Sequence, residues 1–301
     1  MKKRYRKERP LIMLTHPIHI AHEEHVQAVA PSFAQLWSPG FLLVLVVLGI
    51  LYTLFTGSWR HRIEGSEPVA QKHRLYFWIG LAFWYAADGS PLAYYGHHYY
   101  FSIHMLQQSM LYLVMPPLFL LATPGWLLQA GLRNAAVEKV FRFITNPILA
   151  LFVFNFVFSV YHVPIVMDYL MVNGTVHMLY KVVFLLAAFM MWFPVYTPLP
   201  QYDRLSDMKK LAYIFINGLL LTPACALIIF AKVPLYAMYA AIPDQQLLLS
   251  TVNDQSFGGV IMKIVQEIVY GWALGYIFYR WYRRERKDEL LLDAPENWNR
   301  A

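Results

Sequence analysis

Apolar residues fall in long runs along the chain, separated by short polar and basic segments. A helix needs about 20 mostly apolar residues to cross the hydrocarbon core of a bilayer. Runs near this length, one of them shorter and more aromatic, predict seven transmembrane helices at residues 39–55, 75–87, 103–122, 147–163, 176–196, 211–231 and 257–282. Prolines within these runs, at Pro117, Pro194 and Pro223, are tolerated where neighbouring helices satisfy the freed carbonyls. The pattern predicts an all-α polytopic membrane helix bundle.

Composition supports a membrane protein. The chain has 301 residues, of which 58% are hydrophobic and only 14% charged, whereas about a quarter are charged in an ordinary soluble domain. We predict three regions, namely a His-rich basic arm at residues 1–36, the membrane domain at 37–282 and a charged tail at 283–301. The basic start MKKRYRKER is read as an extramembrane arm, because the apolar segment LIML that follows is too short for a signal peptide.

The positions of Lys and Arg predict the orientation of the bundle. Cytoplasmic loops of membrane proteins carry an excess of these residues. Here they gather after the first, third and fifth predicted spans and in the tail, while the alternate loops hold only Lys232. The basic set comprises Arg60, Arg62, Lys72, Arg74, Arg133, Lys139, Arg142, Arg204, Lys209, Lys210, Arg280, Arg283, Arg284, Arg286 and Lys287. The asymmetry predicts an N-terminus outside and a C-terminus inside.

With this orientation, five histidines lie at the outer ends of three predicted spans. His97, His98 and His104 precede or begin the third span, His162 ends the fourth, and His177 begins the fifth. Polar residues of a span normally face the interior of the bundle. We therefore expect these side chains to converge on a shared pocket.

Imidazoles in such a pocket suit a transition metal. Met105 and Met178 directly follow two of the histidines, and histidine combined with thioether favours copper, especially Cu(I). The alternative is that each histidine is an interfacial hydrogen-bonding residue and each methionine an ordinary apolar one. The metal hypothesis assigns the copper ligands as His104, His162 and His177, followed by His97 and Met105.

Two further features carry alternative interpretations. Lys263 and Glu267 lie four residues apart in the seventh span, so they can pair within one helix either as a proton or ion relay or as a structural pair. Cys225, the only cysteine, excludes a disulfide framework and is either an inert buried thiol or a transient Cu(I) ligand.

The N-terminal arm carries four histidines at a spacing of three residues, namely His16, His19, His22 and His25. On a helix such neighbours could capture Cu(II) or Zn(II); the alternative is a solvated polar arm.

The net charge of +7 is spread between the apolar runs, so it does not indicate a nucleic-acid partner. A P-loop and the HExxH, GxSxG and CxxCH motifs are all missing from the sequence, which predicts that the protein is not an enzyme.

Several stretches together resemble the CtaG-type assembly factors of caa-type cytochrome c oxidase in Gram-positive bacteria. They are LWSPGFLL, FSIHM, VMPPLFLLATPGW, FNFVFSVYHVP, MWFPVYTPLP, LLLTPACALIIFA and DQSFGGVIMKIVQEIVYG, spread from Trp37 to Trp281. The resemblance implies a seven-span plasma-membrane protein that helps copper to reach the oxidase. Its motif residues in this sequence are His104, Met105, His162, Asp254, Gln255 and Lys263. Relatives carry a second histidine one turn after the HM pair, where this chain has Gln108.

Sequence and resemblance together predict a copper-binding assembly factor at the outer membrane face. The expected partners are cytochrome c oxidase subunits, a copper chaperone and membrane lipids. One alternative is a b-type haem electron carrier with His104 and His177 as axial ligands. Another is a transporter with Lys263 and Glu267 on its pathway, although the sequence shows no internal repeat.

Overall fold

The computed structural model describes residues 30–243 and 247–292, with the backbone alone for 288–292. Within these residues the chain is helical and contains no β-strand, which confirms the all-α prediction. The helices are α1 (Phe33–Trp37), α2 (Pro39–Thr56), α3 (Gln71–Asp88), α4 (Pro91–His98), α5 (Phe101–Ser109), α6 (Met115–Ala122), α7 (Gly125–Gly131), α8 (Ala135–Ile144), α9 (Pro147–Tyr161), α10 (Pro164–Val172), α11 (Gly174–Trp192), α12 (Asp207–Ile229), α13 (Ala237–Ala240) and α14 (Thr251–Leu292).

Each predicted span coincides with a helix, but not all of these helices meet the requirements for crossing a bilayer. In the described part of the chain, five helical segments are long and apolar enough, namely Phe33–Thr56, Phe101–Ala122, Gly174–Trp192, Asp207–Ile229 and Thr251–Lys287. The bent pair α8 and α9 would be a sixth if it counts as one span. Helix α3 has 18 residues but is not among them. The protein is therefore a multi-pass membrane protein, and the number seven stays a prediction.

The long helices run alternately up and down the bundle. At one end, Lys181 of α11 pairs with Asp88 at the end of α3, and Asp254 of α14 accepts hydrogen bonds from Ser102 of α5. We call this the histidine end. At the opposite end, Tyr52 of α2 donates to the carbonyl of Ala122 at the end of α6. This alternation places the ends of α3 and α9 beside the beginnings of α5, α11 and α14.

The third predicted span is preceded by a separate short helix. Ser90 caps α4 by accepting a hydrogen bond from the amide of Leu92, with Pro91 in the first turn, a position that suits proline because it needs no amide donor. Helix α4 ends at His98, and α5 begins at Phe101. His97 and His104 therefore lie on two separate helices.

Within this span the backbone widens into a π-helical turn at Met110–Val114, immediately before Pro116 and Pro117. Such turns let a helix absorb a local disturbance of its hydrogen-bond ladder, and they are frequent at functional sites. The span continues as α6 to Ala122, as predicted.

The fourth span begins with a sharp change of direction. Helices α8 and α9 meet at an angle of 66°, because Asn146 caps α9 through the amides of Ile148 and Leu149 and Pro147 occupies its first turn. Helix α14 continues to Leu292, ten residues beyond the predicted end of the membrane domain at residue 282, while α1 begins within the predicted arm. The four arm histidines lie outside the described residues.

Large side chains fill the centre of the bundle, with Trp192, Tyr161 and Phe184 almost completely inaccessible. Conversely, α2 and α9 expose aliphatic and aromatic residues on their outer faces, as expected where lipid rather than water is the solvent.

Candidate metal site

A cavity of about 180 Å³ lies at the histidine end, bounded by α3, α4, α5 and α11. The imidazoles of His97, His104 and His177, which come from three different helices, line it. The structure thus brings together three of the five predicted ligands, through the packing of α4 against α5. The remaining lining residues are Asp88, Ala93, Gln107, Gln108, Leu111, Tyr112 and Lys181.

His97 and His177 are close neighbours across the cavity, with ring centroids 5.8 Å apart. Burial, followed by the nearby His98 and Lys181, lowers the pKa of His97 from its usual value. A lowered pKa favours the neutral imidazole at neutral pH, and neutral imidazole is the form that binds metals.

His104 is nearly inaccessible, at 3% exposure. Its Nε2 shares a hydrogen bond of 2.8 Å with the hydroxyl of Tyr161, and Gln108 Nε2 lies 2.9 Å from the same nitrogen. The other ring nitrogen, Nδ1, and the amide oxygen Gln108 Oε1 have no hydrogen-bond partner among the described residues. Because an amide nitrogen can only donate, His104 Nε2 accepts from Gln108, and the neutral ring carries its hydrogen on Nδ1. An unpaired buried polar atom costs about 1–3 kcal/mol, so both Nδ1–H and Gln108 Oε1 are open to a further partner.

Asp88 is surrounded by donors. Its Oδ1 accepts from Lys181 Nζ at 2.5 Å and from Gln107 Nε2 at 3.1 Å, while its Oδ2 accepts from the indole of Trp84 at 3.2 Å. These contacts neutralise the ammonium group of Lys181 and occupy the carboxylate. The groups left to bind a cation in the cavity are therefore the imidazoles and the amide oxygen of Gln108.

The other two predicted ligands do not line the cavity. His162 donates from Nδ1 to the carbonyl of Phe158 at 2.7 Å, which leaves a buried Nε2 with no partner in the described part of the chain. Met105 is fully buried, and its Cγ would lie 3.1 Å from a Cβ placed on Gly258 of α14. Met178 is 63% exposed on the outer face of α11.

In the described residues, no group of three or more His, Cys, Asp or Glu side chains is arranged closely enough to hold a metal ion. The cavity is thus a collection of neighbouring imidazoles and not a completed coordination sphere. A complete three-ligand site would require at least one side chain to rotate.

Sequence reasoning missed Lys181 and Gln107 as components of this site. Lys181 lies four residues after His177 on α11, and a charged residue within a membrane span is itself a sign of a functional region. That signal was available in the sequence. By contrast, the contact of Gln107 with Asp88 depends on how α3 packs against α5.

The two features with open interpretations lie elsewhere. Lys263 and Glu267 form the expected ion pair at 2.7 Å, but the Glu267 side chain is 62% exposed on the outside of the bundle. Cys225 is buried at 1% exposure, as expected for an inert thiol.

These features define a class of protein, namely a multi-pass helical membrane protein with a small imidazole-lined cavity at one end of its bundle. Residues 50–284, well over half of the chain, match the family of cytochrome c oxidase caa3 assembly factors (Caa3_CtaG). The chain belongs to this family. No curated protein and no solved structure gave a match.

Proposed function

We propose that this chain supports maturation of the caa3 oxidase by holding copper in the cavity at the histidine end and passing it to an oxidase subunit. The observation that carries the proposal is that three imidazoles from three helices line one cavity. Copper is the cargo in this proposal, so the site has to release its ion as well as bind it. An incomplete ligand set is consistent with such a transient role.

The spacing of His97 and His177 fits a shared ion. A metal bound about 2.0 Å from a ring nitrogen lies about 3.2 Å from the ring centroid, so two rings on one ion have centroids at most about 6.4 Å apart. The observed separation of 5.8 Å satisfies this limit. Cu(I) is stable with two or three ligands, so this pair could hold it. His104 Nδ1 would become the third donor when the Gln108 amide turns over, because its oxygen then accepts from Nε2–H and Nδ1 carries the lone pair.

His162 is not assigned to the copper-holding site. Its Nδ1 is held by the Phe158 carbonyl, an arrangement that orients metal-binding histidines in many proteins. Because it does not line the cavity, we assign the holding site to His97, His104 and His177 and treat His162 as a test of the larger predicted set, together with Met105.

The alternatives receive less support. Cofactor sites usually measure roughly 300–1,000 Å³, whereas this cavity measures about 180 Å³, which disfavours a haem between His104 and His177. A transport pathway through Lys263 and Glu267 is disfavoured because Glu267 is largely exposed on the outer surface of the bundle.

We further propose that the histidine end faces the outside of the plasma membrane. The support is the Lys and Arg asymmetry, since the basic residues listed above gather at the opposite end. This orientation would make the cavity accessible to an extracellular copper chaperone and to the oxidase, with a non-enzymatic role for the chain itself.

The test measures copper per purified protein after anaerobic loading with Cu(I). The variants are His97→Ala, His104→Ala and His177→Ala, and we expect each to weaken copper retention by at least about tenfold, because even residues that only orient ligands cost 10–100-fold. His98→Ala is the matched control, since His98 is exposed beside His97 and bonds through Nδ1 to the carbonyl of Tyr94.

In cells, the same variants should lower caa3 oxidase activity while leaving copper-free quinol oxidases unchanged. Wild-type copper retention in all three cavity variants would refute the copper site. Normal oxidase copper and activity in a strain lacking the gene would refute the assembly role. Loss of copper in His162→Ala would extend the ligand set beyond the cavity.

A further inference from the structure

An ion pair lies near the middle of α14 and faces away from the bundle. Lys263 Nζ is 2.7 Å from Glu267, whose side chain is 62% exposed. Glu267 is thirteen residues from Asp254 and thirteen from Arg280, which places it about 20 Å along the helix from each of these charges. Its carboxylate therefore lies near the centre of the apolar part of the helix.

Such a position is unfavourable for a protein surrounded only by lipid. Ionisable residues within spans almost always face the bundle interior or a partner, because hydrocarbon does not solvate charge. Lys263 is better covered, since its side chain is 29% exposed and it also donates to Thr222 Oγ1 at 3.1 Å. The exposed group is thus the carboxylate, which accepts hydrogen bonds.

A second acceptor adjoins it. Gln266 is 1% exposed and lines, with Glu267, a cleft between α12 and α14. Its Oε1 has no partner within the described residues, and its Nε2 makes only a long contact of 3.5 Å to the Gly218 carbonyl. Gln266 therefore holds an unpaired acceptor inside the cleft, while Glu267 on the surface has Lys263 as its one donor.

The surface next to Glu267 is shaped to receive a helix. A shallow groove follows the outer face of α14, with Gly271 and Gly275 at its base and Ile268, Trp272 and Tyr276 along its sides. A Cβ added at either glycine would meet no atom within 4 Å. Small residues spaced four apart allow close approach of membrane helices.

The charges of Lys263 and Glu267 favour a helix from another protein over a helix from a second copy of this chain. A second copy of this chain would have the same orientation in the membrane, so its Lys263–Glu267 pair would lie parallel to the first. Parallel dipoles side by side repel. A helix from another protein can instead present a hydrogen-bond donor or cation to the exposed carboxylate of Glu267.

We propose that this face of α14 docks one transmembrane helix of a caa3 oxidase subunit, with a donor or cationic side chain at mid-membrane depth. The identity of the partner rests on the proposed function, whereas the need for a donor-bearing helix rests on the carboxylate of Glu267, which is 62% exposed near the middle of the membrane span. The helix would cover the groove and supply a second donor to Glu267, beside Lys263.

The test places the photo-crosslinking residue p-benzoylphenylalanine at Trp272 in cells that express epitope-tagged oxidase subunits. The matched control has the same residue at Phe156 of α9, because both side chains are aromatic and outward-facing, at 77% and 69% exposure. We expect crosslinks to an oxidase subunit from position 272 and not from position 156. Equal yields from both positions, no crosslink, or crosslinks only to a second copy of this chain would overturn the docking proposal.

A second set of variants tests the groove and the carboxylate. Gly271→Leu combined with Gly275→Leu fills the groove, and Glu267→Ala removes the acceptor. Each should lower the crosslink yield by about tenfold. Gly40→Leu is the control, since a Cβ at Gly40 of α2 also meets nothing within 4 Å. Wild-type crosslinking in the groove-filled variant would overturn the proposal.

Two readouts separate this proposal from the proposed function. Copper retention of the purified groove variants should equal that of the wild type, because the groove is not part of the cavity. If oxidase activity depends on the chain but no crosslink forms, docking at α14 fails and the assembly role stands. If oxidase activity does not depend on the chain, the proposed function fails.

Discussion

Lys210 and Asp203 form an ion pair whose two partners differ greatly in burial. Lys210 Nζ donates to Asp203 Oδ2 at 2.8 Å, and the side chains are 1% and 35% exposed, respectively. This asymmetry gives a prediction that depends on which partner is removed. Asp203→Ala leaves a buried ammonium without its counter-ion, whereas Lys210→Met leaves a carboxylate that water can reach.

The expected magnitudes follow from the cost of an unpaired buried charge. Breaking a buried pair by removing one partner costs about 3–5 kcal/mol, and this range applies to Asp203→Ala. Lys210→Met replaces the buried charge with an apolar side chain of similar length, so we expect a loss of at most about 1 kcal/mol. The double variant should be close to Lys210→Met alone, because no unpaired charge remains.

The assay is unfolding of the purified protein in detergent micelles by titration with SDS, followed by tryptophan fluorescence. Glu64→Ala is the control, because Glu64 pairs with Arg133 at 3.3 Å but both side chains are largely exposed, at 90% and 61%. We expect no measurable loss in this variant. If Lys210→Met destabilises as much as Asp203→Ala, or if the double variant is as unstable as Asp203→Ala, the reasoning from burial is wrong.

Two further predictions concern packing and topology. A Cβ at Gly258 would lie 2.6 Å from the ring of Phe101, so Gly258→Ala should destabilise the purified protein by about 1–3 kcal/mol in the same assay. The matched control is Gly275→Ala, whose Cβ meets open space, so its stability should not fall. Equal losses in the two variants would contradict the packing argument. For topology, a C-terminal alkaline phosphatase fusion should be inactive and a C-terminal fluorescent protein fluorescent; an active phosphatase would reverse the proposed orientation.

The helical segments could be read from the sequence because membrane spans leave a strong one-dimensional signal. A run of apolar residues is required wherever a helix meets hydrocarbon, whatever its neighbours are. The helices α2, α11 and α12 therefore lie where the pattern predicts them. Helix α3 shows the limit of this signal, since its aromatic composition predicts a helix without establishing that it crosses the bilayer.

The sequence predicted a group of histidines at one end of the bundle, but it could not show which residues line the cavity. Alternation of spans was enough to bring His97, His104 and His177 to one end. The sequence could not show that α4 and α5 are separate helices, or that His162 lies outside the cavity, because these depend on packing between segments far apart in the chain. Asp88 likewise acquires its role only through Lys181, which is 93 residues away.

The pair Lys263 and Glu267 shows most clearly what the sequence determines by itself and what only the tertiary structure decides. Their spacing of four residues determined that they meet on one helix, because that contact is local. Which side of α14 faces the bundle was decided by α5 and α12, which pack against its opposite face near Gly258 and Gly259. Helical periodicity defines faces but not their neighbours, so only the tertiary structure could show that Glu267 is directed away from the bundle, where a partner helix can reach it.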